Sequence, residues 1–325
     1  MTVPAQRRDA LLAVTYRSGF VDCQHYGSVV VVDPGGHACF ALGGPEFQTY
    51  GRSANKMMQA VAMLRLGLAV SNRQLALTTA SHSGGPAHVD IVRSILADAG
   101  LTEDRLQNAI GRPMGELELD EFLTNRQKPS ALTMNCSGKH ASMLSTCVSC
   151  SWNLDDYLDV DHPLQQRITE TIAEFTAETT DGIGIDGCGA PAHQLSLVGL
   201  SQSLRLMAQA DPSSPEGRVA DAIRSHPELV GGYGRDVTEF LLAAPGWIGK
   251  DGADGVMVLA SPDGFGVAVK IGDGAQTPRV PVALAALQRA GVSLPTLDPA
   301  MLRPPVLGGG HPVGELVPLS AEWSQ

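Results

Sequence analysis

Five lysines stand against eighteen arginines in this 325-residue chain, and three of the five lie in short segments rich in Ser, Cys and Gly. They are Lys56 in Arg52-Ser53-Ala54-Asn55-Lys56, Lys139 in Asn135-Cys136-Ser137-Gly138-Lys139-His140, and Lys270 in Val269-Lys270-Ile271-Gly272-Asp273-Gly274. Arginine stays protonated at any working pH, whereas a desolvated lysine can give up its proton and act as a general base. A chain that meets most of its need for cations with Arg, and sets Lys beside hydroxyls and thiols, is arranged for amine chemistry.

Ser53 and Lys56 form the one Ser-x-x-Lys of the chain. If a helix begins near Ser53, positions i and i+3 share a face and the amine can reach the hydroxyl. Free N–H groups at the helix start would then stabilise an oxyanion formed as Ser53 attacks a carbonyl. A helix-capping serine followed by a surface lysine has the same spacing, so this pair alone leaves both readings open. Ser81-His82-Ser83-Gly84-Gly85 adds hydroxyls and an imidazole after the apolar run 75–80, although it also suits a capping turn before a helix. Lys270 falls on the second strand of a hairpin, on the face opposite Val267 and Val269. The order Ser53/Lys56, Ser81/Ser83, Lys270 parallels the three motifs of serine β-lactamases and penicillin-binding proteins.

The other dense segments surround cysteines: 135–140, and Gly184-Ile185-Asp186-Gly187-Cys188-Gly189. Small residues there allow close backbone approach. Two thiols with a His or Lys could hold zinc, and two buried inert cysteines fit the same residues. Cys147 and Cys150 have Cys-x-x-Cys spacing on a helix-like stretch with no second pair, which reads as structural.

The elements that must position these residues follow from periodicity. Residues 27–33 and 37–42 read as strands about a Pro34-Gly35-Gly36 turn, and 255–260 and 265–271 as a hairpin about 261–264. Helical spacing marks 56–68, 89–99, 163–180, 202–209 and 277–291. The expected fold is α/β: one sheet from both chain ends, about 1–52 and 250–325, packed with helices, and a largely helical middle over about 53–249, as a single domain spanning 1–325. A net charge of −11 excludes a nucleic-acid or anionic-membrane partner. No apolar span reaches about 20 residues, and the N-terminal apolar run 11–14 is too short for a signal-peptide core. A cytoplasmic enzyme is expected.

Taken together, the segments 52–56, 81–84, 135–140, Asp161-His162-Pro163-Leu164-Gln165-Gln166, 184–189, Gly255-Val256 and 269–274 resemble, in the same order, those of the rhizobial-type L-asparaginase II-like family. The resemblance implies a serine β-lactamase-like fold, a homodimer, and hydrolysis of L-asparagine to L-aspartate and ammonia. It implies Ser53 as nucleophile with Lys56 as base, Ser81 and Lys270 as a second pair, and Arg52, Asp186 and Ser83 as substrate-binding residues. It also implies one zinc ion held by Cys136, Lys139 and Cys188. The sequence departs from the family at Gly85, where an acidic residue is usual, and in segment 111–116, which is poorer in His. Alternatives are another small amide such as L-glutamine, since one methylene is discriminated by only about 1–3 kcal/mol, or a catalytically silent binding protein. β-Lactam or peptidoglycan chemistry would call for export.

Overall fold

The computed structural model describes residues 8–180 and 182–319. Its strands are β1 (Ala10–Arg17), β2 (Phe20–Val32), β3 (Ala38–Leu42), β4 (Thr49–Tyr50), β5 (Ile183–Ile185), β6 (Pro191–Leu195), β7 (Ile248–Gly252), β8 (Val256–Ala260), β9 (Gly266–Ile271), β10 (Pro305–Gly308) and β11 (His311–Pro318). Its α-helices are α1 (Lys56–Arg65), α2 (Asn72–Thr78), α3 (Pro86–Asp98), α4 (Glu116–Thr124), α5 (Ser137–Ser149), α6 (Pro163–Thr176), α7 (Leu197–Ala208), α8 (Pro215–Ser225), α9 (Pro227–Val230), α10 (Asp236–Ala243), α11 (Arg279–Arg289) and α12 (Pro299–Leu302). Among the described residues no helix is long and apolar enough to cross a membrane.

The chain divides into two compact units. The first holds the described residues up to Ala54, Leu195–Ala208, and those from Ala243 on. Its sheet runs β10-β11-β1-β2-β9-β8-β7, with β3 also paired to β2. Every pairing is antiparallel. Both chain ends thus supply the sheet, and the α/β class read from the sequence holds. Val29 to Val32 are fully buried because β2 is central, flanked by β9 and β3 and covered by α7 and α11. A strand enclosed in this way reads as a continuous β-branched run. Helix α7 comes from the middle of the sequence but joins this unit, since its apolar face packs on β2, β8 and β9. Residues 1–7 and 320–325 of the expected sheet segments lie outside the described residues.

The second unit, Asn55–Gln194 with Gln209–Leu242, is mainly helical. Helix α1 is its axis: residues 56–64 are all buried, enclosed by α2, α5, α6 and α8. A helix buried on every side needs no polar face, so whatever polar side chain it carries must find its partners inside. The helix starts around it are written locally. Ser71 and Gln74 form a capping box on α2. Pro86, Pro163 and Pro215 open α3, α6 and α8, where a missing N–H costs nothing. His162 caps α6 by accepting from the Leu164 N–H at 3.1 Å, so the His-Pro pair in segment 161–166 is a helix start.

One close approach in the sheet is tested directly. Gly27 on β2 faces Ile271 on β9, and a Cβ at Gly27 would lie 2.1 Å from the carbonyl oxygen of Lys270. Gly27→Ala is expected to push β9 from the central strand at a cost of about 1–3 kcal/mol; a urea-unfolding midpoint equal to that of the parent would contradict this contact.

Candidate active site

In the helical unit, the burial of α1 places Lys56 at 1% exposure. Its Nζ donates to the Ala80 carbonyl at 2.5 Å and lies 3.2 Å from both Ser81 Oγ and Cys136 Sγ. An ammonium moved out of water costs several kcal/mol unless it finds such partners. The strip 81–84 that receives it is tied on several sides. Ser81 N–H donates to Val230 and His82 N–H to Asn135, while the Ser83 carbonyl accepts from Met114 and Gly115. The Ser83 hydroxyl is fully buried and donates to the Gly231 carbonyl at 2.9 Å. Gly84 has φ +89, and a Cβ there would meet Pro113 at 2.8 Å. A Cβ on Gly85 would lie 2.9 Å from Glu118 Cγ, so the Glu118 side chain from α4 takes the space beside Gly85.

The cysteine segments meet in the same unit. Cys136 precedes α5, Lys139 lies in its first turn, and Cys188 sits in the loop between β5 and β6. Cys136 and Cys188 are buried in one cluster with Ala190. Lys139 Nζ is 3.2 Å from Cys188 Sγ, and Cys136 Sγ lies 2.9 Å from Asn135 Oδ1. Hydrogen bonding with Cys188 and burial push the Cys136 thiol well up. Hydrogen bonding with Cys136, helped by the Lys139 ammonium, holds Cys188 well down as the thiolate against the effect of its burial. Burial would lower the Lys139 amine, but the two sulfurs more than offset it and raise it. His140 Nδ1 shares a 2.8 Å hydrogen bond with the Tyr157 hydroxyl. Asp186 opens the loop, its carboxylate accepting from Gly187 N–H at 2.8 Å.

Among the described residues no three His, Cys, Asp or Glu side chains come together as a metal-holding group. The third donor of the set is therefore the Lys139 amine. Two sulfurs and an amine in a buried site suit zinc by donor chemistry, provided Cys136 and Lys139 give up their protons.

The sheet unit holds the remaining residues. Ser53 is half-buried in the short turn Arg52–Asn55, just before the chain passes from the first unit to the second. Arg52 has φ +51, a left-handed conformation unusual for a side chain of its size. Its guanidinium pairs with the Asp254 carboxylate. Lys270 on β9 donates to the carbonyls of Asp254 and Ile271, each at 2.6 Å.

Several partners carried no sequence signal. Lys56 meets Ser81 and Cys136 across 25 and 80 residues, separations that no local pattern encodes. Asp254 carries no signal of its own beside the Gly255-Val256 segment. The pairing of His82 Nε2 with Ser137 Oγ at 2.9 Å joins two of the motifs, since each residue lies inside one of them. Cys147 is buried and Cys150 lies 3.5 Å from the Leu66 carbonyl. Burial pushes the Cys147 thiol up to about 12, which makes it inert at neutral pH.

A profile of the L-asparaginase II family matches residues 13–318, and the chain belongs to that family of amide hydrolases. No curated protein matches it. Among solved structures it is similar to a β-lactamase, Mb2281c, from Mycobacterium bovis (13% identity, 81% of this chain and 94% of that one, TM-score 0.45). It is also similar to Mglu in its native form (14% identity, 84% and 66%, TM-score 0.45). A third is a putative β-lactamase from Bacteroides dorei (15% identity, 81% and 92%, TM-score 0.43).

The histidines of the helical unit set its response to acid. Burial lowers His193 to about 4, with Lys139 adding to the effect, and burial lowers His82 and His88 as well. An unfolded histidine titrates near about 6.5. Between that value and 4 the unfolded chain binds a proton at His193 that the folded chain does not. Its stability contribution is therefore complete above about pH 6.5 and is lost as pH falls through the window. Stability from urea unfolding should fall from pH 6.5 to 4, and His193→Gln should make that slope shallower by about 1.4 kcal/mol per pH unit. An unchanged slope would show that His193 takes up its proton within the folded state.

Proposed function

We propose that this chain hydrolyses the side-chain amide of L-asparagine to L-aspartate and ammonia through an acyl-enzyme formed on serine. The observation that carries the reading is the buried Lys56 amine, whose hydrogen bonds go to a hydroxyl, a thiol and a carbonyl; within a family of amide hydrolases such a group serves as a base. Ser53 Oγ attacks the amide carbonyl and passes its proton to Lys56. The proton then goes to the departing nitrogen, which leaves as ammonia, and water releases the acyl group by the reverse sequence. The family resemblance supports Ser81 and Lys270 as a second Ser–Lys pair, and in this structure Ser81 meets Lys56 while Lys270 meets the Asp254 and Ile271 carbonyls. Arg52 and Asp186 bind the α-carboxylate and α-ammonium groups, and Ser83 supports the site.

Cys136, Lys139 and Cys188 would hold zinc, which when bound supplies a positive charge able to orient or polarise the substrate. Until then the Lys139 ammonium supplies the charge that faces the Cys188 sulfur. The family resemblance also supports a homodimer.

A second assignment of the nucleophile is favoured by the 3.2 Å contact between Lys56 and Ser81. Ammonia release from L-asparagine, with L-glutamine alongside and zinc content determined on the same sample, tests both. Ser53→Ala should lower kcat by about 10³-fold or more. Residual activity near the parent level in Ser53→Ala, with loss in Ser81→Ala, would move the nucleophile to Ser81. No release from either amide by the parent would favour a binding protein or a different small amide.

A further inference from the structure

Asp254 touches two of the cations assigned above: its carboxylate pairs with Arg52 and its carbonyl accepts from Lys270 at 2.6 Å. We propose that, without substrate, the Asp254 carboxylate occupies the place on Arg52 that the substrate's α-carboxylate takes, so that binding exchanges one carboxylate for another. This rests on the reading of Arg52 as the substrate-carboxylate site.

The local structure makes Asp254 suited to leave and return. It lies at the tip of the turn between β7 and β8, with φ +56, followed by Gly255 at φ +75. Asp tolerates this left-handed conformation better than most residues. Its carbonyl is engaged by Lys270, which holds the backbone of the turn, while the carboxylate has Arg52 as its partner. The exposures differ in the same sense: the Asp254 side chain is 64% exposed and that of Arg52 26%. The carboxylate can return to water with little loss, while the guanidinium stays in place. The Asp254 carboxylate engages Nη1 of Arg52, so a second carboxylate arriving at that nitrogen meets a like charge, and the more exposed of the two is the one that leaves. An ion pair this exposed is worth no more than about a fivefold factor in an equilibrium. That is weak enough for a substrate to displace and strong enough to raise its KM. Asp254 is thus a specificity-determining neighbour of the binding residue and takes no part in the chemistry. It also sets a threshold: an amide with no carboxylate to offer Arg52 leaves the resident pair intact.

The test compares the parent with Asp254→Asn, a substitution that keeps the left-handed turn and removes the charge. The measured quantities are KM and kcat for L-asparagine and the inhibition constant of L-aspartate, with a thermal midpoint on each preparation to confirm folding. Asp254→Asn should lower KM and the L-aspartate constant together by about two- to fivefold, with the change in KM and not in kcat. In an Arg52→Gln background the same substitution should have no effect on KM. A merely structural role for Asp254 would raise KM or lower kcat instead. KM unchanged or raised in Asp254→Asn, while the parent turns over L-asparagine, would overturn the exchange and leave the substrate reading standing. A parent with no turnover of L-asparagine would overturn the substrate reading, and the exchange with it.

Discussion

The chemistry of the helical unit depends on amine nitrogens held out of water against sulfur and hydroxyl. Helix α1 is enclosed by its neighbours, so Lys56 is held out of water and is satisfied by Ala80, Ser81 and Cys136. Lys139 is held in the same manner by Cys188. An unpaired charge in either position would cost several kcal/mol, so each motif constrains the others. The strip 81–84 must present its hydroxyl to α1, the start of α5 must present a thiol, and the β5–β6 loop must return a second sulfur to Lys139. The hydrogen bond between His82 and Ser137 holds two of these segments in register.

Burial alone does not mark a reactive lysine. Lys250 is as buried as Lys56, yet it pairs with the adjacent Asp251, which also faces Arg279. An ammonium paired with a carboxylate keeps its proton. The partners make the difference: a carboxylate for Lys250, a hydroxyl and a thiol for Lys56, carbonyls for Lys270. Within the sheet unit, Lys270 and Arg52 both turn to Asp254, where the backbone carbonyl of the turn takes one cation and its side chain the other.

What was legible in the sequence was what neighbours along the chain determine. The Val29–Val32 run, the 261–264 turn and the helical spacing after Lys56 became β2, the β8–β9 hairpin and α1. The early half of β2, Phe20 to Tyr26, mixes polar and aromatic residues and is a strand through its pairing with β1. Helix α7 was legible as a helix, but its allegiance to the sheet follows from tertiary packing. At the site, Ser53-x-x-Lys56 stood out by spacing. The contact between Lys56 and Cys136 could not, because it joins two motifs that each looked complete. Asp254 was hidden for a related reason, since an acidic residue beside a turn glycine is ordinary turn chemistry.

The central claim is that a serine carries the acyl group during amide hydrolysis. The most direct measurement is mass spectrometry of the enzyme quenched in acid during turnover of L-asparagine, followed by peptide mapping. The account predicts an aspartyl ester on the peptide containing Ser53. Full turnover with no acylated serine at any time point would mean that water attacks the amide directly, and would contradict it.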